Sequence, residues 1–330
     1  MILKLQKNLL NKKKYTVFLI GLGKVGYGNL KNKPSLKSHY YYLKRSKNFS
    51  LKYLFDLNRK NLNKVKNFKK ENKIEYYRQL NNIKKTDITV ISVPSNANLE
   101  VITQLKKFKI LSDVIILEKP VSNNLKIFKK IEKILKNKII LINYQRSWNE
   151  FYDNIFKDKK NLNIYHIYNN GFLNNCSHMI ALLIKYFGKW ISYKFLFKNN
   201  SGHRDPNYNL VLYFKNNNKC ILNGVNNSRV NVFETLIYDE NKIIELKSGA
   251  TNYNERNPKK FKHIKNYYLL NEKNEKNLLI NDNPYVGILR LLKEISKKKV
   301  KTFKMVNFPS LPIARNIITL ADNLKNDKKI

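Results

Sequence analysis

Gly21-Leu22-Gly23-Lys24-Val25-Gly26 spaces three glycines as G-x-G-x-x-G. The chemistry this pattern serves is anion binding by main chain rather than by side chains. Gly21 allows a tight turn, Gly23 lets the backbone approach a pyrophosphate, and Gly26 lets a helix sit close to the preceding strand. Phosphates would then lie on free N–H groups at the helix N-terminus, at the positive end of its dipole. Lys24 and Val25, inside the turn, join the glycines as candidate cofactor contacts. Alone the pattern arises by chance; here an apolar run precedes it and a helix is predicted to open from it. Asp56 ends the next apolar run, thirty-five positions after Gly21. The usual separation is about 20, so an insertion is expected around Asn32 to His39. A carboxylate at that strand end can bond adenosine ribose hydroxyls and disfavours a 2′-phosphate. NAD is therefore the first expectation, and nearby Arg59 leaves NADP open. The bland alternative is a strand-terminal turn aspartate.

The elements that must hold these residues are legible as short apolar runs. Tyr15 to Ile20, Leu51 to Phe55, Asp87 to Val93, Val114 to Leu117 and Lys138 to Ile142 read as buried strands. Between them, Leu125, Phe128, Ile131, Ile134 and Leu135 recur at helical spacing. Strands alternating with helices predict a doubly wound parallel sheet. The pattern changes after about residue 150. His178 to Phe187 predicts a buried helix. Five strand-like runs follow: Ile191 to Phe197, Tyr208 to Phe214, Cys220 to Val225, Val230 to Tyr238 and Ile243 to Leu246. Asn216 to Lys219 and Asp239 to Lys242 read as hairpin connections. The predicted fold is α/β, an N-terminal Rossmann doubly wound sheet plus a C-terminal α/β domain with a mainly antiparallel open sheet. Helices near Tyr285 to Lys297 and Ser310 to Asn326 close the chain. The predicted division is 1–14 as an extension, 15–145 as the dinucleotide domain, 146–308 as the substrate and oligomerisation domain, and 309–330 as a helix packing back on the N-terminal domain.

The 330 residues carry a formal net charge of +42, which at face value predicts a polyanion partner. The basic residues are spread along the chain, whereas a nucleic-acid footprint should cluster. Lys, Asn, Ile, Tyr and Phe are abundant and Ala, Gly and Pro scarce, a bias that A/T-rich coding produces without any partner. Neither a nucleic-acid nor a membrane partner is expected. No apolar window reaches the ~20 residues of a membrane span, and the first fourteen residues do not read as a signal peptide. Two cysteines, Cys176 and Cys220, fit a reducing compartment. A cytoplasmic protein without a metal site is expected.

Glu118-Lys119-Pro120, following a strand in a dinucleotide fold, resembles the glucose–fructose oxidoreductase / inositol dehydrogenase family, Gfo/Idh/MocA. Four further segments agree: Ile91 to Asn96, the Tyr-x-Arg element in Asn143 to Trp148, Asn174 to Gly188, and Pro309 to Arg315. The resemblance spans roughly residues 15 to 325. Ser38-His39 and Asn175-Cys-Ser-His178 are similar to members associated with surface polysaccharides.

What the resemblance implies is an NAD(P)-dependent oxidoreductase acting on CH–OH groups of a sugar, nucleotide-sugar or inositol-like substrate. Val93, Pro94, Asn96, Glu118, Lys119 and Arg146 become further cofactor contacts. Pro120 is implied to follow a cis peptide. Lys119 and His178 are the implied catalytic pair. An ammonium can stabilise a developing alkoxide, and an imidazole near neutral pKa can exchange its proton. Lys119, Trp148, Asn175 and His178 are the implied substrate contacts, and Trp148 and Tyr152 read equally as core. His203 and Arg204 are weaker candidates. Family members often carry acids at the positions of Asn174 and Ala181. Asn174 can orient a substrate but cannot take a catalytic proton. A non-catalytic dinucleotide-binding sensor or regulator is thus the alternative. A homo-dimer or homo-tetramer is expected, through the open sheet face.

Overall fold

The computed structural model describes residues 14–29, 33–65, 73–75, 77–199, 205–226, 229–247, 249, 252–260, 268–270, 274–277, 283–297 and 309–326. His203, Arg204 and the stretch 1–13 lie outside them. The chain divides into two compact units, 1–148 with 282–318, and 149–281 with 319–330.

The first unit is built on six strands: β1 (Tyr15–Ile20), β2 (Phe49–Phe55), β3 (Lys73–Ile74), β4 (Ile88–Ile91), β5 (Val114–Leu117) and β6 (Ile139–Ile142). Their order is β3-β2-β1-β4-β5-β6, and every pairing is parallel. β4, β5 and β6 are buried at every position, because helices cover both faces of a parallel sheet. The order reverses between β1 and β4, which is where such sheets open a crevice at their carboxyl ends.

The helix expected to follow the glycine loop is present in two pieces. Residues 24–27 form a single turn, with the N–H groups of Tyr27 and Gly28 donating to the Gly23 carbonyl, both at 2.9 Å. The chain then leaves, and α1 (His39–Arg45) begins only after Ser38. Yet His39 N–H donates to the Val25 carbonyl at 3.0 Å and Tyr40 N–H to that of Gly26 at 2.9 Å. In an uninterrupted α-helix residues 29 and 30 would make these bonds. The helix therefore resumes in register at His39. Ser38 caps the second piece, its hydroxyl accepting from Tyr41 N–H at 3.2 Å. The edge-on Tyr27 and Tyr40 rings, 5.0 Å apart, bridge the join. The insertion expected around Asn32 to His39 thus falls where this helix is interrupted.

Helices α2 (Arg59–Leu62), α3 (Asn98–Lys107) and α4 (Leu125–Leu135) link successive strands. Asn124 caps α4 by accepting from Ile127 N–H, and Phe128, Ile131 and Leu135 are its buried stripe. A later helix, Pro284–Lys297, also belongs to this unit, although the sequence division assigned it to 146–308. Its stripe Tyr285, Ile288, Leu291, Leu292 and Ile295 is buried in one core with Val17, Leu19 and Val90. Apolar area removed from water, not order along the chain, decides which unit it joins. After Pro309, whose carbonyl accepts from Ile142 N–H, Arg315 on the final helix (Leu311–Asn326) pairs with Glu132 of α4.

The second unit opens with α5 (Phe151–Phe156) and β7 (Asn163–Tyr168). A π-helical turn, Phe172–Cys176, runs directly into α6 (Ser177–Phe187). Then come β8 (Ser192–Asn199), β9 (Asn207–Tyr213), β10 (Lys219–Gly224), β11 (Phe233–Asp239), β12 (Lys242–Lys247), β13 (Asn252–Arg256), β14 (Pro258–Lys260), β15 (Tyr268–Leu270) and β16 (Asn274–Asn277). β14 and β15 form a separate two-stranded ribbon. The other strands make one sheet ordered β16-β13-β12-β11-β7-β10-β9-β8. It is antiparallel except between β7 and β10. Both expected hairpins are present, and Asn216 and Asn217 take φ of 57°, as a tight right-twisted hairpin requires. The central strand β7 was not foreseen. The two helices that close the chain are numbered α7 (Pro284–Lys297) and α8 (Leu311–Asn326). Among the described residues no helix is long and apolar enough to cross a membrane.

Candidate functional site

The glycine loop leaves β1 at the carboxyl edge of the first sheet, beside the end of β4. Gly21 has φ of +85°, and a Cβ there would meet the Ser92 carbonyl oxygen at 2.6 Å. A Cβ on Gly26 would stand 1.9 Å from the Gly21 carbonyl oxygen. Gly23 is different: nothing lies within 4 Å of its would-be Cβ. Two glycines thus close the turn on itself, and the third leaves open space over the backbone. Among the described residues no acceptor takes the N–H of Gly23, Lys24 or Val25. Lys24 and Val25 are exposed. Ser92 ties the turn to β4, its hydroxyl donating to the Gly21 carbonyl at 2.7 Å and to that of Ile20 at 3.1 Å. A pyrophosphate fits this arrangement: bare donors, clearance for close approach, and a rigid backing.

Asp56 follows β2 on the same edge. Its carboxylate accepts from Leu22 N–H at 2.7 Å, from Asn58 N–H at 2.7 Å and from the Asn61 amide at 3.0 Å. These contacts are those of a strand-terminal turn aspartate, and the same carboxylate also braces the glycine loop. Arg59 is largely exposed and 3.7 Å from Glu75. Val93, Pro94 and Asn96 follow β4, with Pro94 and Asn96 exposed and the Pro94 carbonyl accepting from Ala97 N–H.

Glu118, Lys119 and Pro120 follow β5, and the Lys119–Pro120 peptide is cis. Lys119 is half-buried, whereas Glu118 is buried. His39 Nε2 lies 2.7 Å from Glu118 Oε1, and the Asn143 amide donates to the same oxygen. The other face of the imidazole, Nδ1, is 2.7 Å from the Tyr285 hydroxyl. One tautomer satisfies the chain: Tyr285 O–H donates to Nδ1, and Nε2–H donates to the carboxylate. Burial alone would push the Glu118 carboxyl up. The hydrogen bonds from His39 and the Asn143 amide, with the nearby Lys119 ammonium, reverse this and hold it below the ordinary range. Glu118 is an ionised, buried carboxylate. Burial, reinforced by Glu118, raises the Tyr285 phenol well above its ordinary value, so it stays a donor.

Arg146, half-buried, lies on the short 3-10 turn Gln145–Trp148 after β6. Trp148 is 7% exposed and belongs to the first unit's core. A Cβ on Gly287 of α7 would press its ring at 3.0 Å. Its neighbours there belong to the first unit's own core.

In the second unit His178 is buried as the second residue of α6, two positions beyond the π-helical turn. Such turns are frequent where function requires a displaced side chain. Asn174 is exposed, and its amide donates to the Asn170 carbonyl at 3.1 Å. Asn175 is buried, its amide donating to the carbonyls of Asn169 and Val232, both at 3.0 Å. Those bonds occupy the NH2 group of its side chain with main-chain acceptors. Asp205, from the loop before β9, accepts from Leu173 N–H at 3.0 Å and Asn174 N–H at 2.8 Å. A Cβ on Gly171 would collide with that carboxylate at 2.2 Å. Tyr152 is fully buried between aromatic neighbours Phe151 and Phe156.

The residues on the sheet's carboxyl edge are legible in the sequence, and those behind them are not. His39 carried a faint signal through its place in the expected insertion. Tyr285, Asn143 as a partner of Glu118, and Asp205 carried none, because their roles come from side chains distant in sequence.

No protein-family model matches the chain, and no curated protein matches it. Solved structures do match. A dehydrogenase from Chromobacterium violaceum superposes with a TM-score of 0.67 at 11% identity, covering 95% of this chain and 94% of that one. An oxidoreductase from Agrobacterium radiobacter, in complex with NAD+, L-tartaric acid and magnesium, gives 0.63 at 11% identity over 94% of each chain. The transcriptional regulator Gal80p from Kluyveromyces lactis gives 0.67 at 15% identity, covering 96% of this chain and 90% of that one. At these identities the likeness is one of fold, and it extends over both units.

Proposed function

We propose that the chain is an NAD(P)-dependent oxidoreductase acting on a secondary alcohol or ketone of a sugar, nucleotide-sugar or inositol-like substrate. One observation carries the reading. The glycine loop, Asp56, Val93 to Asn96 and Glu118-Lys119 stand on one carboxyl edge of a sheet ordered β3-β2-β1-β4-β5-β6, where such folds bind dinucleotides. The nicotinamide, when bound, supplies the hydride acceptor or donor.

The chain's own residues do the rest. The N–H groups of Gly23, Lys24 and Val25 hold phosphate, and Asp56 selects the unphosphorylated ribose of NAD. Arg59, exposed beside that site, keeps NADP in view. Glu118, with Val93, Pro94, Asn96 and Arg146, lines the nicotinamide end. Lys119 donates to the substrate oxygen and stabilises negative charge as it develops there. His178 takes or returns the hydroxyl proton, and Asn174 orients the substrate by hydrogen bonding. The fold shared with the NAD+-bound Agrobacterium radiobacter oxidoreductase supports the cofactor class.

A second reading, a non-catalytic dinucleotide-binding regulator, is favoured by one observation. Asn174 and Ala181 stand where the resemblance implies acids, and the fold is shared with a transcriptional regulator. A thermal-shift screen of NAD(H) and NADP(H), followed by nicotinamide absorbance with a sugar panel, separates the two. Binding with turnover supports the enzyme, binding without turnover the regulator, and no binding overturns both. Self-association through the outer sheet face of the second unit belongs to the same proposal. Tyr165, Ile167 and Tyr238 are exposed there, and sedimentation would show a dimer or tetramer.

A further inference from the structure

Two hydrogen-bonded paths meet at His39. Through its main chain it belongs to the glycine loop, since its N–H donates to the Val25 carbonyl at 3.0 Å. The next residue, Tyr40, donates likewise to Gly26 at 2.9 Å, the glycine that rests against the Gly21 carbonyl. Through its side chain the same residue holds Glu118 Oε1 at 2.7 Å. Glu118 immediately precedes Lys119. The imidazole is 2% exposed and fixed from behind by the Tyr285 hydroxyl at 2.7 Å. The edge-on Tyr285 ring, 5.8 Å from it, leaves little room for another rotamer.

A buried ring bonded at both nitrogens cannot shift without breaking a bond. Any movement of the turn 23–27 moves the His39 main chain and so strains or relaxes its grip on Glu118. The interruption of the helix between Gly28 and His39 makes this arrangement possible. It brings His39 into the helical position that residue 29 would otherwise occupy.

We infer that His39 is a positioning residue that joins the dinucleotide loop to the Glu118-Lys119-Pro120 turn, so that filling the pyrophosphate site also sets the main chain carrying Lys119. This rests on the dinucleotide-binding reading above and adds regulation of the same site. The coupling is mechanical and needs no contact between the ligand and Lys119.

The test is amide hydrogen exchange on the full chain with ADP as probe. ADP carries the adenosine and pyrophosphate but neither the nicotinamide nor its ribose, so protection reaching Lys119 must travel through protein. In the wild type, exchange should slow in both 21–28 and 117–123, by about threefold or more in each. In His39→Ala the first segment should still be protected and the second should lose its response. His39→Gln, which keeps an N–H donor for Glu118, should restore the second response in part. Tyr285→Phe, which leaves the Glu118 bond in place, should retain most of it and serves if His39→Ala does not fold. A merely structural His39 would lower the melting temperature without uncoupling the segments. Equal protection of 117–123 in wild type and His39→Ala overturns the coupling alone. So does a wild type protected in 21–28 but unresponsive in 117–123. Absence of protection in 21–28 of the wild type overturns the dinucleotide reading and the coupling with it.

Discussion

His39 Nε2 and Glu118 Oε1 lie 2.7 Å apart, with both side chains buried. Removing one partner leaves the other buried without its main bond. His39→Ala and Glu118→Ala should each destabilise the protein by about 3–5 kcal/mol, because an uncompensated buried group is costly. The double variant should cost less than the sum of the two. Chemical denaturation of all three chains measures this.

The same pair dictates a pH dependence. The Glu118 carboxyl is held below its ordinary value of 4.5 in the folded chain. A depressed carboxylate contributes stability that is fully present above the unfolded value and is lost as pH falls through the folded one. Stability should therefore be insensitive to Glu118 above pH 4.5 and should drop on further acidification. Glu118→Gln should flatten that acid limb. Melting temperature against pH for both proteins is the measurement.

Gly23 and Gly26 should separate binding from folding. A Cβ at Gly26 stands 1.9 Å from a carbonyl oxygen, whereas at Gly23 it meets nothing. Gly26→Ala should lower both the melting temperature and dinucleotide affinity. Gly23→Ala should leave the melting temperature nearly unchanged and still weaken binding by about tenfold, roughly 1.4 kcal/mol. Calorimetric titration with NAD(H) beside a thermal melt distinguishes them.

Lys119→Ala and His178→Ala should fold, bind NAD(H) and lose turnover by on the order of 100-fold or more. Full turnover in either would remove that residue from the chemistry. Nicotinamide absorbance under saturating cofactor gives the comparison.

Asp205 caps a π-helical turn with both carboxylate oxygens. Asp205→Ala should cost about 1–2 kcal/mol of stability, as lost helix caps do. Asp205→Asn keeps one acceptor and should recover about half. Thermal melts of the two variants decide it.

The first unit was legible because parallel strands buried on both faces are continuous apolar runs, and Val114 to Leu117 has no other use. β7 escaped for the opposite reason. Asn163-Ile-Tyr-His-Ile-Tyr168 places His166 inside and Tyr165 and Ile167 outside. His166 is tolerated there because its Nδ1 meets Glu234 O and Thr235 Oγ1, both at 3.0 Å. No pattern within the strand announces those partners. The motif residues of the candidate site were legible because each sits at a strand end and its type follows from local geometry. Tyr285 and His39 were not, because 246 positions separate them and only the packed core makes them neighbours.

The interruption of the helix between Gly28 and His39 also bears on how this chain tolerates rearrangement. Val25 and Gly26 receive their hydrogen bonds from His39 and Tyr40 as though nothing intervened. One helix is therefore assembled from two stretches of chain that need not be covalently consecutive. For protein engineers the same place is a splice point, where a reporter or a new terminus can enter beside the nucleotide loop while the helix closes behind it.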